Sequence, residues 1–229
     1  MKGDITKRMV AETIGTFAIV FFGCGAIVTL QGTDAHVAVN IVFGAVVAAM
    51  VYALGHVSKA HFNPAVTIAF ASAGCFPARE CGRYIVAQLV GAVLASYCHA
   101  LAFGARAYSA SFGATAPSVP LGSAFFLEAA CTFFLMFVIV AVATEKSVHR
   151  AVPGLAIGSV IAFSGLFIGP ATGNSLNPAR SLGPALFAHQ SVSSVWVYLV
   201  APVVGALFGA FVYNRIRSTP CCPSTEATP

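Results

Sequence analysis

The residues best placed to do chemistry are two asparagines set in apolar surroundings. Asn63 lies in His61-Phe62-Asn63-Pro64-Ala65-Val66, and Asn177 lies 114 residues later in Ser175-Leu176-Asn177-Pro178-Ala179-Arg180. Asn is a favoured helix N-cap, because its side-chain oxygen accepts an orphan N–H of the first turn. Pro suits the next position, where its fixed φ is already helical and its missing N–H costs nothing. Each Asn-Pro-Ala therefore reads as a loop that turns abruptly into a helix. The helices expected to follow, about Pro64–Gly74 and Pro178–His189, are half the depth of a bilayer at ~1.5 Å per residue. The chemistry on offer is hydrogen bonding rather than bond making. The amides of Asn63 and Asn177 can donate to one passing oxygen atom, backed by helix N-termini that each carry about +0.5 elementary charge. Such a field disfavours cations, hydronium included, while neutral hydroxyl compounds replace water one hydrogen bond at a time.

Half-helices of this kind need spans to hold them, and the composition supplies them. Hydrophobic residues make up 58% of the 229 and charged residues only 8%, with a mean hydropathy of +0.87. A soluble domain carries about 25% charged residues, so the chain reads as a polytopic membrane protein. Six stretches are long enough to cross, about 9–30, 37–57, 82–103, 122–143, 153–169 and 195–214. Recurrent glycines within them (Gly15, Gly23, Gly44, Gly91, Gly158, Gly205) permit close helix packing in lipid. The N-terminus has no signal-peptide cleavage pattern and runs straight into a span. Residues 218–229 read as a disordered tail, leaving 1–217 as a single channel domain.

The net charge of +5 does not point to nucleic acid, because the basic residues sit at span ends. Lys2, Lys7, Arg8, Lys59, Arg79, Arg83, Lys146, Arg150, Arg215 and Arg217 fall on one side, and only Arg106 and Arg180 on the other. That asymmetry puts both termini in the cytoplasm and the protein in the cell membrane. Of the cysteines, Cys24, Cys98 and Cys131 lie in spans, Cys75 and Cys81 in a short connection and Cys221-Cys222 in the tail. This is neither a metal-ligand spacing nor a disulfide framework, and no cofactor or metal is expected.

The sequence also repeats. Glu12-Thr13-Ile14-Gly15-Thr16-Phe17 matches Glu128-Ala129-Ala130-Cys131-Thr132-Phe133, and Val90-Gly91-Ala92 matches Val204-Gly205-Ala206. Each repeat, about 9–103 and 122–214, holds three spans and one half-helix. An odd number of crossings inverts the second repeat and turns the two half-helix N-termini toward each other at the midplane. Backbone that is not helical survives at that depth only if protein buries it or it lines a polar path. The loops before the half-helices, about 58–62 and 170–176, are thus expected to present carbonyl acceptors to a narrow aqueous passage. Glu12 and Glu128, intramembrane carboxylates at matched positions, suit acceptance of hydrogen bonds from those loops better than a proton relay. His61 is expected to brace the first loop, and His56, His99, His149 and His189 to pack or sit at interfaces.

The stretches Gly55–Thr67 and Gly173–Pro184, with the repeat glutamates, resemble the aquaporin, or major intrinsic protein, family over about residues 9–214. Ala60–Ala71, with Phe76-Pro77, Tyr84-Ile85 and Tyr198-Leu199, is similar to its nodulin-type branch. The resemblance implies an all-α membrane fold of six transmembrane helices plus two re-entrant half-helices, an inverted repeat, assembled as a homotetramer with one pore per subunit. It implies pore motifs at Asn63, Pro64, Ala65 and Asn177, Pro178, Ala179. It also implies a filter at Phe43, Gly165, Asn174 and Arg180. Gly165 stands where strict water channels of the family carry His, and is expected to widen the filter. Asn174 is polar where a small residue is usual. Ser181 and Ala185 look like water-channel members. The branch carries water, glycerol and uncharged metalloid hydroxides such as arsenous or boric acid.

The function expected is a passive channel for water and small uncharged solutes that excludes ions and protons, with a strict water channel as the alternative. An ion-coupled transporter fits less well, since both intramembrane carboxylates have another use. A membrane enzyme would need a nucleophile or metal set that the sequence does not offer.

Overall fold

The computed structural model describes residues 4–30, 32, 34–144, 153–188 and 192–217. Its elements are α1 (Ile5–Thr29), α2 (Ala35–Ser58), α3 (Pro64–Ser72), α4 (Ala78–Phe103), α5 (Ala105–Ser109), α6 (Leu121–Thr144), α7 (Pro153–Thr172), α8 (Pro178–Ala188) and α9 (Val192–Ile216), with a 3-10 turn at Ser111–Gly113. The fold is all-helical. Six helices, α1, α2, α4, α6, α7 and α9, are long and apolar enough to cross a membrane; α3 and α8 are the two half-helices, and α5 is a short helix in a connection. The expected tail, and the basic residues Lys2, Lys146 and Arg150, lie outside the described residues.

Packing follows the internal repeat. α1 packs on α4 as α6 packs on α9, α2 crosses α7, and each short helix rests on the last span of the opposite repeat, α3 on α9 and α8 on α4. Exchanging the repeats maps this pattern onto itself, as an axis in the membrane plane requires. Glycines set the closest approaches. A Cβ on Gly91 of α4 would meet the Thr13 carbonyl of α1, and one on the equivalent Gly205 of α9 the Ala129 carbonyl of α6. On the axis, a Cβ at Gly44 would stand 2.6 Å from the Gly158 carbonyl oxygen.

Large apolar side chains face outward, and charged and amide side chains are buried among the apolar core. Leu101, Phe126 and Phe167 are exposed, whereas Glu12, Gln88, Thr67, Glu128 and Arg180 are buried. At one end, Arg8 and Glu80 form a bidentate pair with N···O distances of 2.6 and 3.1 Å, tying α1 to α4. At the other end, Arg106 donates to the Val28 and Thr29 carbonyls at 2.9 and 2.6 Å, a cation on the carbonyl terminus of α1.

Two boundaries correct the sequence reading. α2 continues through Ser58 and α7 through Thr172, so the non-helical loops are 59–63 and 173–177. Pro170 sits inside α7, where it cannot donate to the residue four positions back. That carbonyl, of Leu166, lies 3.2 Å from His36 Nε2 of α2. The helix therefore runs through its proline with the freed acceptor satisfied from outside. The connection 104–120 holds α5 and the 3-10 turn.

Candidate functional site

The two Asn-Pro-Ala stretches cap their helices as the residue types dictate. Asn63 Oδ1 accepts from Ala65 N at 2.9 Å, and Asn177 Oδ1 from Ala179 N at 3.0 Å. Their amide nitrogens cross the axis reciprocally. Asn63 Nδ2 donates to the Leu176 carbonyl at 2.7 Å, and Asn177 Nδ2 to the Phe62 carbonyl at 2.9 Å. An NH2 group has two donors, so each asparagine keeps one N–H beyond this bond.

The loops that deliver the asparagines are wound alike. Lys59, Ala60 and Phe62 have φ of 70°, 51° and 50°, and Gly173, Asn174 and Leu176 have 81°, 47° and 53°. Left-handed backbone at non-glycine residues costs ~1–3 kcal/mol each and persists only where surroundings impose it. The two glutamates do so. Glu12 accepts from Ser58 Oγ (2.6 Å), His61 N (3.0 Å), Phe62 N (2.6 Å) and Gln88 Nε2 (2.8 Å). Glu128 accepts from Thr172 Oγ1 (2.7 Å), Ser175 N (2.9 Å) and Leu176 N (2.9 Å). Two tyrosines complete the symmetry: Tyr84 donates to the Ser58 carbonyl at 3.0 Å and Tyr198 to the Thr172 carbonyl at 2.7 Å. His61 contacts Thr67 Oγ1 through Nδ1 at 3.2 Å and packs its ring among Phe70, Phe76 and Tyr84.

A cavity of about 750 Å³ runs along these groups. It is lined at one end by Gly55, His56, Lys59 and Pro153, passes Phe62, Asn63 and Asn177, and reaches Phe43, Asn174 and Arg180. Its walls between are apolar, with Ile19, Val47, Val66, Leu135 and Ile157.

Phe43, Asn174 and Arg180 meet at that far end. The Arg180 guanidinium carbon lies 5.0 Å from the Phe43 ring centroid, and its Nη1 donates to the Gly113 carbonyl at 2.9 Å. Arg180 is 2% exposed. Its Nε, and Oδ1 of Asn174, are buried without a hydrogen-bond partner among the described residues. Both residues line the cavity at this end. Gly165 is not followed by open space. A Cβ there would fall 2.6 Å from Asn40 Cγ and 3.0 Å from Asn174 Nδ2, so both side chains stand against the face of Gly165.

Sequence reasoning missed Asn40, which precedes Phe43 by one helical turn, and its partner His36. A His/Asn pair four residues apart in an apolar span was the available signal. It also missed the bond from Arg180 to Gly113. Gly113 has φ +68°, and a Cβ there would press on Cys24 at 3.0 Å.

The sequence profile of the Major intrinsic protein family matches residues 1–213. The chain belongs to the major intrinsic protein family. It is 45% identical to Aquaporin NIP1-1 of Zea mays and 45% identical to Nodulin-26 of Glycine max. Each match covers 93% of this chain, and 76% and 79% of those proteins respectively. The X-ray structure of the aquaglyceroporin from Plasmodium falciparum superposes with a TM-score of 0.84 at 27% identity, covering 93% of this chain and 97% of that one. Family members are passive membrane channels for water and small solutes rather than enzymes, and the six apolar helices belong to that architecture.

Proposed function

We propose that this chain conducts water together with small uncharged hydroxyl solutes, glycerol foremost and metalloid hydroxides such as arsenous or boric acid next, and excludes ions and protons. The observation that carries the reading is that one cavity is lined by Arg180, Asn63 and Asn177 on a largely apolar wall. These side chains offer N–H donors that the hydroxyl oxygens of a polyol can accept in turn. Asn63 and Asn177 then take over with their remaining N–H groups, and the apolar wall accommodates the carbon side of the solute.

Cations meet opposing forces along the whole path. Arg180 carries a full charge, and the N-termini of α3 and α8 add about half a charge each at the asparagines. A water oxygen that accepts from both asparagines cannot also pass a proton along its file, which supports proton exclusion.

The lysine and arginine asymmetry supports cytoplasmic termini and the cell membrane, and the resemblance supports a homotetramer. The two repeats and their connection, within 1–217, are read as one channel domain. One observation favours a second reading, a strict water channel: Asn40 occupies the space that Gly165 leaves.

The test is stopped-flow light scattering on proteoliposomes, first with an impermeant osmolyte and then with a glycerol gradient. Rapid shrinkage followed by rapid glycerol re-swelling, without saturation, is expected. Fast water flux with no glycerol entry selects the strict water channel. Dependence of flux on an ion gradient overturns the channel reading.

A further inference from the structure

We infer that Asn40 of α2 is a specificity-determining residue of the filter, holding the place over Gly165 and setting, with Asn174, the size of solute that passes. It rests on the filter reading proposed above.

The chain of contacts begins at Pro170. The Leu166 carbonyl that the proline leaves free can only accept, so the His36 nitrogen 3.2 Å away, Nε2, carries the hydrogen. His36 Nδ1 is then an acceptor. Asn40 Nδ2 lies 3.3 Å from it and donates to the His36 carbonyl at 2.8 Å. Both amide hydrogens of Asn40 are engaged on the His36 side, which fixes the amide with Oδ1 turned the other way, onto Gly165. That oxygen and Asn174 Nδ2 converge on the point a Cβ of residue 165 would occupy. Asn40 is 5% exposed and stands one turn from Phe43, whose ring packs against Arg180. Residues three apart share a helix face, so Asn40 and Phe43 approach the filter from one side. A side chain borrowed from α2 thus does the filling that α7 omits.

Coupling between positions 40 and 165 follows. Asn40→Ala removes the occupant and opens the filter. Gly165→Ala drives the Asn40 amide toward the path, and does so only while Asn40 is present.

The test measures water, glycerol and erythritol permeability of proteoliposomes carrying the parent, Asn40→Ala, Gly165→Ala and the double variant. Asn40→Ala is expected to raise the glycerol-to-water ratio about tenfold, a barrier change of ~1.4 kcal/mol, and to admit erythritol. Gly165→Ala is expected to lower the ratio in the parent and to change it much less in the Asn40→Ala background, a non-additivity that independent sites do not give. An unchanged ratio in Asn40→Ala with parental water flux overturns the inference, as do additive effects. If the parent excludes glycerol, the solute reading above fails. In that case glycerol entry through Asn40→Ala still supports the role of Asn40, and continued exclusion refutes it. If Asn40→Ala is not recovered as monodisperse protein, Asn40→Ser replaces it, since a serine hydroxyl can still bond the carbonyl four residues back. A raised ratio supports the inference and an unchanged one overturns it.

Discussion

Removing the Glu128 side chain tests whether the carboxylates hold the loops in their left-handed winding. Glu128→Ala deletes at once the acceptor of Ser175 N, Leu176 N and Thr172 Oγ1. Thr172 Oγ1 still has the Ile168 carbonyl at 3.3 Å, but the two backbone N–H groups are left without a partner, and at ~1–3 kcal/mol each they cost ~2–6 kcal/mol together. Total stabilities run ~5–15 kcal/mol, and the loss is therefore a large share of the whole. Glu128→Gln is milder, because one oxygen stays and an NH2 replaces the other, orphaning one backbone N–H. At ~2 kcal/mol, and ~2–4 °C per kcal/mol for a chain of this size, its melting temperature falls by about 4–8 °C. The assay is thermal unfolding of the detergent-solubilised protein, paired with osmotic water permeability of proteoliposomes. The expected order is parent, then Gln, then Ala, with Ala poorly recovered or almost without flux. Glu12→Ala is expected to behave alike, since Glu12 accepts from His61 N and Phe62 N in the same way. A Glu128→Ala protein with parental melting temperature and permeability refutes the reasoning.

Arg180→Val removes the charge at the Phe43 end of the cavity; a unit charge at 4 Å contributes ~4 kcal/mol at an effective dielectric of about 20. Sodium leak in proteoliposomes is expected to rise while water flux persists, and an unchanged leak counts against a filter role for Arg180. Gly91→Ala is expected to destabilise by ~1–3 kcal/mol through overpacking against α1, because its Cβ meets the Thr13 carbonyl and lies 2.9 Å from Phe17 N. Gly82→Ala on the same helix meets nothing within 4 Å and is expected to stabilise by ~0.5–1 kcal/mol. Melting temperatures that move in the same direction contradict the packing argument.

What the sequence made legible was whatever the repeat states twice. Asn63 and Asn177, Glu12 and Glu128, and Gly91 and Gly205 each acquire meaning from a partner about 114–116 residues away, and the two members of each pair make equivalent contacts. The features that stayed hidden occur once. Asn40 has no counterpart in the repeat pattern, and its position over Gly165 depends on how α2 crosses α7. Glu80 carried no message until α4 began at Ala78 and brought it to Arg8, which charge counting had used only for topology. Gly113 lies in a connection whose course depends on the left-handed Ser111 and Phe112, with φ of 48° and 55°. Composition does not mark such a turn.

The crossed bonds at the axis have a consequence for how the protein is made. Asn63 finds its acceptor on Leu176, 113 residues further along the chain, and Phe62 receives its donor from Asn177. At ~5–20 residues per second of synthesis, the first half-helix waits on the order of ten seconds before its partner exists. During that interval α3, too short to span, has α4 to pack on but not yet α9, while Glu12 holds the loop before it. The first half-helix thus finishes its packing, and the crossed pair closes, only when the second repeat arrives.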